Sequence, residues 1–275
     1  MFRQLKCSKN TVVPYLTGSK LMQLHPEGVT FSTTKPNAIV GPNGSGKSAL
    51  LKALAIHSLS WLTGTSGLND GYTDKLSRMD IWTERRWRDY EFMAGITVDS
   101  DDGAAAYFRP NAIPGDETSL THAMMCGYSK EAKRVGELTD EKSSGEANRA
   151  MQGDIQSFLS GKKVPKWTSA NWTEPRCTVK EMRGYVGVWD IAREKLTERV
   201  KAISKTAIPV VMMDEPEQAL DARAELQLWK AITSANMTKL QVIVATHSLY
   251  PIMHSDQFHI IEAEPGYVQS VLELM

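Results

Sequence analysis

The octapeptide Gly41-Pro42-Asn43-Gly44-Ser45-Gly46-Lys47-Ser48 constrains this chain more than any other stretch. Its glycines open backbone conformations closed to other residues, so that successive N–H groups turn inward and line a cradle for phosphate oxygens. Lys47 adds a mobile cation for the outer phosphates, and the Ser48 hydroxyl is suited to hold Mg²⁺. The pattern matters only between a strand and a helix. Ala38-Ile39-Val40 reads as the strand, and the Ala- and Leu-rich run from Ala49 to Ile56 reads as the helix. The positive end of that helix then faces the phosphates. Asn43, Gly44, Ser45, Gly46, Lys47, Ser48 and Ala49 are therefore the expected nucleotide-binding residues, with ATP and Mg²⁺ as the expected cofactors.

A second strand, Ile208 to Met213, runs directly into Asp214-Glu215-Pro216. Ligands of open α/β sheets sit at the carboxyl ends of the strands, so Asp214 and the glycine-rich loop are expected on one edge. Asp214 is the candidate second Mg²⁺ ligand beside Ser48, and Glu215 the candidate to orient or deprotonate an attacking water. A third apolar run, Leu240 to Ala245, ends in Thr246-His247-Ser248. A neutral imidazole offers one donor and one acceptor, which suits His247 to a γ-phosphate and the water beside it. Lys47, Glu215 and His247 form the expected catalytic set.

Taken in this order, the three segments resemble the ATP-binding cassette (ABC) ATPase superfamily. The segment Lys142 to Arg149 resembles the family's LSGGQ signature, with Ser143 and Gly145 fitting best. Lys142 stands for the usual leucine, Ser144 for the first glycine and Glu146 for the glutamine. Ala219-Leu220-Asp221 resembles the D-loop. The resemblance implies a head-to-tail, ATP-dependent homodimer in which Ser143, Ser144, Gly145 and Glu146, with Asp221, complete the partner's ATP site. The family's Q-loop glutamine has no counterpart, because residues 49 to 142 contain no glutamine. The Ser-Ser-Gly-Glu signature and Ala-Thr-His-Ser are more similar to the RecF-like and overcoming-lysogenisation-defect ATPases than to transport subunits. That resemblance implies a stand-alone ATPase controlling a separate effector, such as a nuclease or toxin, or a DNA transaction in genome maintenance or defence. A transporter's nucleotide-binding subunit and a nucleotide-gated scaffold with little turnover are the alternatives.

Composition agrees with an ordinary globular chain, and the formal charge of zero makes any polyanion binding a local matter. The longest apolar runs are too short for a bilayer, and the first six residues lack a signal-peptide core. Cys7, Cys126 and Cys177 match no metal spacing and read as reduced thiols, which points to the cytoplasm.

The expected fold is a single α/β P-loop domain over residues 1–275, with a parallel-rich sheet, an antiparallel β flank and a helical signature subdomain. Residues 1–110 carry the loop and the flank, 111–205 the signature subdomain, and 206–275 the last two motif strands. Short strands broken at Pro14, Gly18 and Pro26 are expected before the loop, where Tyr15 is a candidate adenine-stacking residue. A hairpin is expected around Ser100 to Gly103. Between Glu146 and Asp214 lie 67 residues, more than the signature helix requires, so an insertion is expected near 160–187. It holds Trp167 and Trp172, and from Ser160 to Tyr185 it carries six basic residues against two acidic, a net +4. Aromatic and basic residues so interleaved suit an irregular loop anchored to its own domain, single-stranded nucleic acid or a protein partner.

Overall fold

Strand burial separates the chain into two sheets. The computed structural model describes residues 1–8, 14–58, 95–110, 146, 153–164, 202 and 204–275. Strand β1 (Phe2–Cys7) buries only Phe2 and Leu5, which a register shift between Phe2 and Gln4 separates, and pairs antiparallel with β2 (Val29–Thr30) and β4 (Ile96–Ser100), in the order β2-β1-β4. Partial burial of this kind belongs to a sheet with one face in the core. Strands β3 (Asn37–Val40), β5 (Ala105–Phe108), β6 (Val210–Asp214) and β7 (Gln241–Thr246) are buried at every position. With β8 (His259–Glu262) they form a five-stranded parallel sheet in the order β5-β6-β7-β3-β8. The protein is thus α/β, with a parallel sheet and a separate antiparallel one.

Alternate residues of the parallel strands feed two cores, as the two-residue repeat of a strand requires. Val210 and Met212 face one core with Leu50, Leu51 and Leu54 of helix α3 (Lys47–His57) and Leu5 of the small sheet. Val211 and Met213 face the other, with Leu228, Trp229 and Ile232 of helix α5 (Ala222–Thr233) and Ile155 of helix α4 (Gly153–Leu159). Gln241 ties the small sheet to the large one. Its amide accepts from Phe2 N at 2.7 Å and donates to Phe2 O at 2.8 Å. Buried amides are retained where both ends find partners, and Gln241 meets that condition.

Two local expectations are corrected. Residues 14–24 form helices α1 (Pro14–Thr17) and α2 (Lys20–Leu24), not strands. Pro14 opens the first, where its missing N–H costs nothing, and the Ser19 side chain caps the second by accepting from Met22 N at 3.2 Å. Tyr15 lies in α1, with its side chain outside the described residues. No hairpin joins β4 to β5. The half-exposed β4 goes to β1, and the fully buried β5 pairs with β6 instead. The signature residues Ser143, Ser144 and Gly145, the tryptophans of the insertion and its span from 165 onward lie outside the described residues, as do Cys126 and Cys177. Cys7 is a free thiol whose pKa is pushed up to about 11 by burial. Among the described residues no helix is long and apolar enough to cross a membrane.

Candidate functional site

Strand order builds the site. β7 lies between β6 and β3, so the residues that follow β7 stand between those that follow the other two. At this one carboxyl edge the chain gathers Lys47, Ser48, Asp214, Glu215 and His247.

The loop after β3 depends on its glycines. Gly46 has φ +106°, and a Cβ there would come within 2.4 Å of Ser19 Cβ, because α2 packs directly under the loop. The Ser45 carbonyl accepts from Leu21 N at 3.0 Å, which fixes that contact. Gly44, at φ +73°, would meet nothing, and Gly44 and Asn43 are exposed. Ala49 lies in the first turn of α3 and packs against the core. Lys47 begins α3, is only 4 % exposed, and folds its ammonium back onto Gly41 O at 2.8 Å and Pro42 O at 3.0 Å. Burial lowers its pKa, opposed by Glu215, Asp214 and Glu217.

Ser48 Oγ donates to Asp214 Oδ1 at 2.8 Å. The other oxygen, Oδ2, accepts from Tyr107 Oη at 3.1 Å. Burial pushes the Asp214 carboxyl above the usual carboxylate range, opposed by the Ser48 hydrogen bond and the charge of Arg109. Glu215 continues the ladder through its N–H to Ala245 O at 2.8 Å, yet it sits in the left-handed region at φ 49°. A non-glycine residue held there costs about 1–3 kcal/mol, a strain that concentrates at functional sites. The bend carries the Glu215 carboxylate to 3.3 Å from His247 Nε2.

His247 Nε2 also lies 3.2 Å from Lys47 Nζ. One ring nitrogen cannot donate to a carboxylate and accept from an ammonium at once, so Lys47 and Glu215 compete for it. Burial lowers the His247 pKa, reinforced by Lys47 and opposed by Glu215, which favours the neutral ring.

Glu217 was not singled out in the sequence. Its Oε1 accepts from Thr246 Oγ1 at 2.6 Å and from His247 N at 3.0 Å, which staples the turn after β6 to the end of β7. Its Oε2 is buried without a hydrogen-bond partner among the described residues, and burial raises its pKa. The only signal for it was its place two residues beyond Glu215. Tyr107 was equally hidden, as one aromatic in an apolar strand. Ser248 Oγ donates to Glu225 of α5, which anchors the far side of the histidine turn.

Of the expected signature and D-loop residues, two lie among the described residues. Asp221 caps α5, accepting from Ala224 N at 2.9 Å, and Glu146 occupies an exposed helical position.

The donor set fits a Mg²⁺-bound nucleoside triphosphate. Mg²⁺ sites of this kind use one or two carboxylates and leave the other positions to phosphate and water, and Ser48 with Asp214 offers one hydroxyl and one carboxylate. Among the described residues no cluster of three His, Cys, Asp or Glu forms an all-protein cage. The Ser45 hydroxyl is buried within the loop and has no hydrogen-bond partner among the described residues. The chain matches no protein-family model, and no curated protein is significantly similar to it in sequence.

Proposed function

We propose that the chain binds and hydrolyses ATP as an ABC-type ATPase of the RecF-like group. The observation that carries this reading is the meeting of Lys47, Ser48, Asp214, Glu215 and His247 at one sheet edge, from three separate segments of sequence. In this reading the loop N–H groups and the N-terminal end of α3 bind the phosphates. Lys47 leaves the Gly41 and Pro42 carbonyls for the outer phosphates, because an anion outcompetes two neutral acceptors. Its departure ends the competition at His247 Nε2, which is then free to hydrogen-bond the γ-phosphate or the attacking water. Ser48 and Asp214 would hold Mg²⁺, which would supply positive charge to offset the negative charge of the phosphates. Glu215 accepts a hydrogen bond from the water and orients it in line with the phosphorus.

The same reading makes the active unit an ATP-dependent homodimer, with Ser143 to Glu146 and Asp221 of one copy closing the site of the other. It acts in the cytoplasm on a separate effector, such as a nuclease or toxin, or on DNA. The support for this part is the resemblance of the signature and D-loop segments. Purified protein should release phosphate from Mg-ATP, and Glu215→Gln should slow release by roughly a hundredfold or more, the scale of a lost general base. Equal rates in the two proteins would remove Glu215 from its role, and the absence of nucleotide binding would defeat the whole reading.

A further inference from the structure

We infer that a cavity at the end of the parallel sheet opposite the catalytic edge binds a small apolar anion, an acid group on an aliphatic or aromatic body. Pro209 and Leu240 line it and immediately precede β6 and β7. It therefore opens at the amino ends of the two strands whose carboxyl ends lead to Glu215 and His247. Its other walls come from the ends of α4 and α5, and its volume is about 470 Å³. Small-molecule sites span about 300–1,000 Å³ and combine an apolar lining with a few polar groups that fix orientation.

The inner part of the cavity is apolar. Leu159 and Leu240 are each 5 % exposed, and Phe158 and Ala231 pack half-buried against the same core. The outer part is polar and exposed, and the charged side chains of the lining, among the described residues, are Lys163 and Lys239. Two helix C-termini would by themselves favour a cation, but their carbonyls are engaged. Gln156 O accepts from Ser160 N at 2.9 Å, Phe158 O from Gly161 N at 3.0 Å and Lys230 O from Ser234 N at 3.0 Å. Asn236 Oδ1 accepts from Thr238 N at 3.0 Å and from Thr238 Oγ1 at 2.7 Å. A backbone N–H only donates, so the other branch of that amide is the NH₂ donor. With these acceptors engaged, the rim offers donors and positive charge, which select an anion, while the inner part takes hydrocarbon.

The test is calorimetric titration of the full chain with octanoate, and with octylammonium and octanol as probes of equal length and different charge. Octanoate should saturate one site per chain, octanol should bind more weakly, and octylammonium most weakly. Lys239→Glu, at an exposed position, should weaken octanoate by about three- to tenfold, the scale of exchanging an exposed attraction for a repulsion. Ala231→Phe places a ring in the cavity and should abolish binding. Octanoate that does not saturate one site, that binds no better than octylammonium, or that binds either variant as well as wild type overturns the inference. Should Ala231→Phe fail to fold, the charge series and Lys239→Glu decide. No nucleotide enters the titration, so its result stands whether or not the chain hydrolyses ATP.

Discussion

Glu217→Ala removes one side chain and two hydrogen bonds, which makes the contribution of the β6 turn to His247 measurable. Glu217 Oε1 accepts from Thr246 Oγ1 at 2.6 Å and from His247 N at 3.0 Å. Hydrogen bonds of this type contribute about 0.5–1.5 kcal/mol each, and a stranded buried donor costs about 1–3 kcal/mol. Thr246 is fully buried, so its hydroxyl bears the second cost, though it still accepts from Ser248 N at 2.9 Å. The His247 N–H lies near solvent and recovers a water. Removing a carboxyl that burial already penalises offsets part of the loss. The expected net destabilisation is about 2 kcal/mol, read as a lower urea midpoint at unchanged slope. Turnover should fall further than stability implies, because a reacting group displaced by about 1 Å loses on the order of a hundredfold. Nucleotide affinity should change little, since the contacts of Ser48 and the phosphate loop are untouched. A variant with wild-type turnover would refute the argument that Glu217 positions His247, whatever its stability.

Three further outcomes are expected. Lys47→Ala should abolish nucleotide binding in equilibrium titrations, and wild-type affinity in that variant would contradict the loop assignment. The acid limb of kcat/KM, which reports the nucleotide-free protein, should fall below pH 6.5, the ordinary histidine value, because burial and Lys47 keep His247 neutral there; a limb above it that vanishes in His247→Gln would show the opposite environment. For Glu217, the folded-state pKa lies above the ordinary 4.5, so its contribution to stability is full below that value and is lost as pH rises through the folded one. Denaturation of wild type and Glu217→Gln between about pH 4 and pH 8 should show wild type losing ground to the variant as pH rises, and a trend in the other direction would contradict the buried-carboxyl account.

Much of the site was legible because it rests on short-range chemistry. Gly44, Gly46, Lys47 and Ser48 carry their meaning in spacing alone, and the apolar runs ending at Asp214 and His247 mark strand ends. What remained hidden depends on which strands become neighbours. Tyr107 meets Asp214 only because β5 pairs with β6, and nothing local to Ala105–Phe108 distinguishes that partner from β4. Glu217 acquires its role only when β7 brings Thr246 and His247 alongside the turn. The helices at Pro14 and Lys20 were masked by Pro14 and Gly18, which punctuate helices as readily as strands. Their consequence is functional as well, since Ser19 of that segment is what forbids a side chain at Gly46.

The central claim is that two copies close around ATP, and the solution mass of Glu215→Gln with and without Mg-ATP tests it most directly. Blocked hydrolysis should hold the closed state, so the account predicts an ATP-dependent shift from monomer to dimer, or from a resting dimer to a tighter or larger assembly. ATP binding with no change in mass or shape would contradict it, leaving a phosphate loop and a catalytic edge without the partner that Ser143 to Glu146 are proposed to serve.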